Sequence, residues 1–305
     1  MTDPAESIST HIDVDDEHCF MEVSVDLPAT PEAVWESVAT GPGYRRWFVE
    51  AEIDGRVGGA LITHHGDFGA SHGTIVEWEP HRRYRYLEAD WMGEEQPVPP
   101  WETEIVLTPV GEDGTVTRAT LRSGISAEGA TWKDAILGTQ EGWEGAWLNL
   151  LQFHAHFGDR HAAQALVMRA GGPDDDIVTT LGLVGAVVGE ERGVSNPAPS
   201  GAGGTEQPGG ELLRGTVIAT TDSLSDQDAT SRSVMLRTTD AVYEFGTLLM
   251  GGERTLVVRG YLYPEASRGL SAAVWESQVA EVGSAARRRW ETVVDDVVAP
   301  SPGIE

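Results

Sequence analysis

A change of apolar period constrains this chain more than any other feature. Between Val49 and Ser123, short runs alternate apolar and polar residues: AEID, GALITHH, HGTIVEWEP, RYRYLEAD, WETEIVLTPV and TVTRATLRS, separated by Gly, Pro and acidic turns. That is the period of half-buried strands. The turns Glu79-Pro80-His81 and Gly111-Glu112-Asp113-Gly114 are short enough to join neighbours as hairpins. After Ser123, Trp132, Ile136, Trp143, Trp147, Leu150, Leu151, His154 and Phe157 recur at helical spacing. An antiparallel meander of six or seven strands, followed by one long helix from about Thr131 to Phe157, is therefore expected, with the helix stripe and Trp143 buried on the sheet.

The flanking elements complete the pattern. CFMEVSVDL alternates, with Met21, Val23 and Val25 on one side and Phe20, Glu22 and Ser24 on the other, so a strand precedes the meander. Thr30 and Pro31 then signal a helix start, Gly41 and Pro42 stop it, and YRRWF adds a second short turn. Trp91 to Pro100 holds three prolines and a glycine, which makes it a loop over one end of the sheet.

Residues 1–17 carry six acidic groups and little that can form a core, and are expected to be a mobile tail. The second half repeats strands and then a helix. ELLRGTVIATT, RSVMLRTT, AVYEFGTLLM and RTLVVRGYLY read as strands, and Trp275, Val279, Val282, Ala286, Trp290, Val293 and Val297 mark a closing helix. Asp174-Asp175-Asp176 read as the acidic start of a helix over IVTTLGLVGAV. Residues 195–211 are rich in Gly, Pro and Ser and read as a flexible insertion. Domains are expected at 18–165 and 172–298, meeting near Gly171-Gly172-Pro173.

Composition removes several function classes. There are 21 basic against 49 acidic side chains, a formal −28, which repels nucleic acid and anionic membranes. Lys133 is the sole lysine and Cys19 the sole cysteine, so there is no disulfide framework and no cysteine zinc cluster. No apolar run is long enough to span a bilayer and no basic-apolar leader opens the chain, so a cytoplasmic location is expected. No phosphate-binding glycine loop or Gly-x-Ser-x-Gly elbow is present, and Cys19 sits in a polar lead-in, which leaves nucleophilic catalysis without a candidate.

Four segments in order, TPEAVWESVATGPGYRRWF, DGRVGGALIT, GTIVEWEPHRRYRYLEAD and GWEGAWLNLLQFHAHF, resemble the START-like helix-grip (SRPBCC) superfamily, in the branch of homologues of the activator of the heat-shock-protein-90 ATPase. The second half looks like a divergent second copy. The resemblance implies an α+β helix-grip fold, a curved antiparallel sheet wrapped around a long C-terminal helix in two tandem copies. It also implies a space between sheet and helix that in many relatives takes a hydrophobic small molecule.

On that basis Trp143 and Trp147, one helical turn apart, together with Trp91 and Trp101, are candidate ligand-binding residues, each offering flat apolar area and one N–H donor. His64 or its neighbour His65, on opposite faces of a strand, is a candidate proton acceptor, and His64 joins the candidate set. His154, His156 and His161 do not make a metal site, because only the pair seven apart shares a helix face and a third ligand is missing. No cofactor and no catalytic residue are assigned. The expected role is non-catalytic binding of a small hydrophobic or aromatic molecule. A chaperone-associated module with a chaperone or basic protein partner, and a polyketide cyclase or hydratase, are the alternatives.

Overall fold

Met21, Val23, Val25 and Leu27 of strand β2 (Cys19–Leu27) all point into one core while Glu22 is exposed, as their alternation requires. The computed structural model describes residues 8–66, 69–93, 98–111, 113–127, 129–172, 175–196, 209–225, 229–250 and 253–298. The chain divides into two units, 1–158 and 159–305.

The first unit holds an eight-stranded antiparallel sheet in the order β1-β2-β8-β7-β6-β5-β4-β3. Its further strands are β1 (Ile8–Val14), β3 (Glu50–Ile53), β4 (Ala60–His64), β5 (Ala70–Glu79), β6 (Arg83–Glu88), β7 (Trp101–Val110) and β8 (Val116–Ile125). Residues 8–14, expected in the mobile tail, pair antiparallel with β2 from Ile8 opposite Val25 to Val14 opposite Cys19. The acidic composition hid this edge strand, whose backbone finds its partners in the ladder rather than in a core. Cys19 is buried rather than lying in a polar lead-in, and burial pushes its thiol pKa up.

Two short helices follow β2. The Thr30 hydroxyl accepts from Ala33 N to cap α1 (Pro31–Val38), and the Thr40 hydroxyl accepts from Gly43 N to cap α2 (Gly41–Tyr44). Gly43 is required there, since a Cβ would lie 1.9 Å from the Glu36 carbonyl oxygen. After the meander, α3 (Gly129–Gln152) runs into a wider π turn over Phe153–Phe157 and packs on β2, β1 and β8. His154 and His161 therefore do not share a helix.

The second unit has a six-stranded antiparallel sheet, β10-β11-β12-β13-β14-β9. Its strands are β9 (Ala163–Ala170), β10 (Glu191–Asn196), β11 (Gly209–Ser225), β12 (Ala229–Arg237), β13 (Ala241–Met250) and β14 (Glu253–Leu262). Its helices are α4 (Ile177–Thr180), α5 (Ala272–Glu276) and α6 (Val279–Val298). The boundary falls at Gly158, not near Gly171, because AQALVMRA is the opening strand of this unit and buries Ala163, Ala165 and Val167. Asp176 caps α4 by accepting from Val178 N, but the helix lasts one turn: Gly182, Gly185 and Gly189 all take positive φ and turn the chain. Asp174 lies outside the described residues. So does most of the expected insertion, although Ser195 pairs with Glu211 and Asn196 with Gly209 across β10 and β11. No helix among the described residues is long and apolar enough to cross a membrane.

Candidate functional site

The aromatic side chains of the first unit fall into a sealed group and an accessible group. Trp147 is 0% exposed, meets Trp47 edge-on at 5.3 Å, and donates its indole N–H to Ala119 O at 3.4 Å. Asn149 Nδ2 donates to Trp47 O at 2.6 Å, and Ala146, Leu148 and Leu150 are buried with it, so the second half of α3 is clamped to the core. Trp147 is thus core, not a surface for a ligand. Trp143, expected to be buried, is only half-buried and stacks on Phe48 at 5.2 Å. In the helix before it, Ile136 is the one buried side chain among the residues from 131 to 145 whose burial is described.

Trp101 opens β7 and is 7% exposed. Half-buried Trp91 packs edge-on against it at 5.0 Å and against half-buried Trp132, in the first turns of α3, at 5.6 Å. The N–H groups expected to orient a ligand are already engaged: Trp91 donates to Pro99 O at 3.0 Å and Trp101 to Ser123 Oγ at 2.8 Å.

Beneath these rings the inward face of the sheet turns polar. Directly opposite residues of an antiparallel pair point to the same side, and the pairs Thr63–Ser71, Tyr86–Thr103, Glu88–Trp101 and Thr103–Ser123 carry a row of polar groups across β4 to β8. Thr103 Oγ1 and Ser123 Oγ lie 2.9 Å apart, and Tyr86 stands directly opposite Thr103. The Ser71 hydroxyl favours the ionised Glu88 carboxyl, which burial nonetheless pushes above the usual carboxylate range. Tyr84 donates to Val38 O at 2.5 Å, and with its one proton spent it must accept from Tyr44, 2.7 Å away. Burial raises the pKa of Tyr44, Tyr84 and Tyr86, so all three are neutral phenols.

The contacts close a circuit. Trp143 stacks on Phe48; Phe48 lies 6.3 Å from the His65 ring; His65 Nε2 is 3.0 Å from Thr63 Oγ1; Thr63 faces Ser71, whose hydroxyl favours the ionised Glu88 carboxyl. Glu88 faces Trp101, and Trp91 links Trp101 to Trp132 on the same helix as Trp143. His64 is outside it: its side chain is 44% exposed on the other face and lies 3.1 Å from Glu52, since adjacent strand residues point to opposite faces. His65 takes the inward place that His64 was expected to have.

Sequence reasoning missed Glu88, and the signal was available. In RYRYLE, Tyr84, Tyr86 and Glu88 share one face, and a carboxylate continuing an inward row of aromatic side chains is the anomaly that makes it a candidate. The arginines of the same strands point the other way. Arg83 meets Glu79 and Glu77 at 2.8 and 2.9 Å, Arg85 meets Glu77 and Glu102 at 2.7 and 3.0 Å, and Arg122 lies 3.8 Å from Glu102.

His154, in the π turn, is held neutral by burial and by Arg46, its pKa lowered from 6.5 to about 4, and its buried Nε2 has no hydrogen-bond partner. No group of three or more metal-ligating side chains occurs among the described residues.

Residues 28–154 match the family described as activator of Hsp90 ATPase homolog 1-like protein, which supports a distant helix-grip relationship for the first unit. CalU16 from Micromonospora echinospora is similar at 23% identity over 48% of this chain and 86% of its own, with a TM-score of 0.38. DynU16, from the dynemicin biosynthetic locus, is 16% identical over 93% of this chain and 97% of its own, with a TM-score of 0.37. The Aha1 dimer from Colwellia psychrerythraea is 17% identical over 44% and 95%, with a TM-score of 0.37. No curated protein matches the chain.

Proposed function

We propose that the first unit is a non-catalytic binding domain that holds a small hydrophobic or aromatic molecule between the first half of α3 and the inward face of β4–β8. The observation that carries this is the split among its tryptophans. Trp47 and Trp147 are sealed, whereas Trp91, Trp132 and Trp143 keep accessible ring surface around an inward polar row. Packing for stability alone would favour burying those rings. The second unit is proposed as a divergent copy of the first, because in each a strand that precedes the meander lies beside the last strand and a closing helix packs on both.

Native mass spectrometry of freshly purified full-length protein tests the occupant. A co-purifying small molecule is the expected result, and a chaperone subunit in its place would move the assignment to an interaction module. Trp143→Ala separates site from core: the half-buried ring should cost only about 1 kcal/mol of stability while quenching by a naphthalene probe is lost. If stability collapses and the parent protein never responds to the probe, there is no ligand site here. If Glu88→Gln retains ligand but abolishes its conversion, the protein is a proton-transfer enzyme of the cyclase or hydratase type.

A further inference from the structure

Resting on that binding role, we propose that the site selects aromatic molecules carrying a protonated amine, with the ammonium on the Glu88 carboxylate and the ring against Trp101 and Trp91. The polar inventory of the circuit decides the ligand's polar end. The N–H donors of Trp91 and Trp101 are spent on Pro99 O and Ser123 Oγ, and Ser123 and Thr103 bond each other. A ligand whose polar end is a ketone or a carboxylate finds those donors taken. Glu88 offers the opposite. It is half-buried on the inward face, directly opposite Trp101, and no cationic side chain among the described residues pairs with it.

The arginines that could neutralise it are turned to the outer face and bound to Glu77, Glu79 and Glu102. A desolvated carboxylate without a counter-charge is costly, and an incoming ammonium removes that cost. Indole faces add cation attraction, so the same rings favour the same charge. The formal −28 of the chain raises the local concentration of cations and opposes anions.

Three probes of one shape test this on the full chain: 2-naphthylmethylamine, 2-methylnaphthalene and 2-naphthoic acid, titrated at pH 7.5 by calorimetry and tryptophan fluorescence. The amine should bind about tenfold or more tighter than the neutral isostere, and the acid weaker still. Glu88→Gln should bring the amine to within about twofold of the neutral probe and leave the neutral probe unchanged. Equal affinities of amine and neutral probe in the parent protein, or an amine affinity indifferent to Glu88→Gln, overturn the proposal while leaving a hydrophobic site. If none of the three binds, the binding role itself fails. Should the variant not fold, the ranking of the three probes on the parent protein still decides.

Discussion

The two units share a wiring and differ in what fills it. In the first, β2 lies between edge strand β1 and last strand β8 and α3 packs on β2; in the second, opening strand β9 lies beside β14 and α6 packs on β9. Yet eight of the ten tryptophans are in the first unit. The second closes its inward face with Val167, Ile177, Leu181, Val217, Leu236 and Val258 around Trp290, which Tyr243 and Phe245 meet at 5.5 and 5.2 Å. Its inward side chains are mostly apolar, the buried Thr247 hydroxyl being tied to Asp176 and to Ile177 N, where β5 to β8 of the first unit carry Ser71, Glu88, Thr103 and Ser123. The same connection of strands therefore accommodates two kinds of interior, because apolar side chains pack to close contact whereas hydrogen-bonding groups must be given partners.

The largest expected effects test where the two interiors are alike. Trp147→Ala and Trp290→Ala each remove a sealed aromatic, at 0% and 1% exposure, and each should cost about 3–5 kcal/mol in urea unfolding. A loss under about 1 kcal/mol at Trp147 alone would extend the proposed ligand site down to the clamped half of α3.

Next in size is a pH effect confined to the first unit. Above pH 6.5, His154 is neutral whether the chain is folded or not. As pH falls from 6.5 towards 4, the unfolded chain takes up a proton that the folded histidine refuses, so stability declines. The total is roughly 3 kcal/mol, levelling off below the folded pKa. Unfolding free energies at pH 7.5 and 4.5 should therefore converge by about that amount when His154→Phe is compared with the parent. An unchanged difference would place the π turn in water.

The smallest effects have opposite signs in the two closing helices. An alanine Cβ at Gly283 would lie 2.6 Å from Gln164 O, so Gly283→Ala should push α6 off β9 and cost about 1–3 kcal/mol. At Gly142 nothing lies within 4 Å, so Gly142→Ala should stabilise α3 by up to about 1 kcal/mol through helix propensity. Equal signs would mean that α3 is held along its whole length as closely as α6 is.

How far the sequence reaches differs between backbone and site. Alternation in CFMEVSVDL and in the meander, the Thr30-Pro31 start, and the helical stripe from Trp132 to Phe157 all correspond to elements in place, because a local period is enough to make a strand or helix bury one side. Ile8–Val14 and Ala163–Ala170 escaped because edge strands owe their existence to a partner's backbone, which no local composition records. Among the candidates, Trp101 and Trp91 meet, Trp143 stays half-open, Trp147 is sealed and His64 faces away.

By itself the sequence determined the meander and long helix of the first unit, the strands-then-helix pattern of the second, the acidity and the abundance of tryptophan. Only the tertiary structure decided which tryptophans seal the core and which ring the inward polar row, which N–H groups are already spent, and that Glu88 stands opposite Trp101 without a cation. Those outcomes depend on cross-strand register between segments far apart in the chain. A shift of one residue would have turned every one of these side chains to the other face.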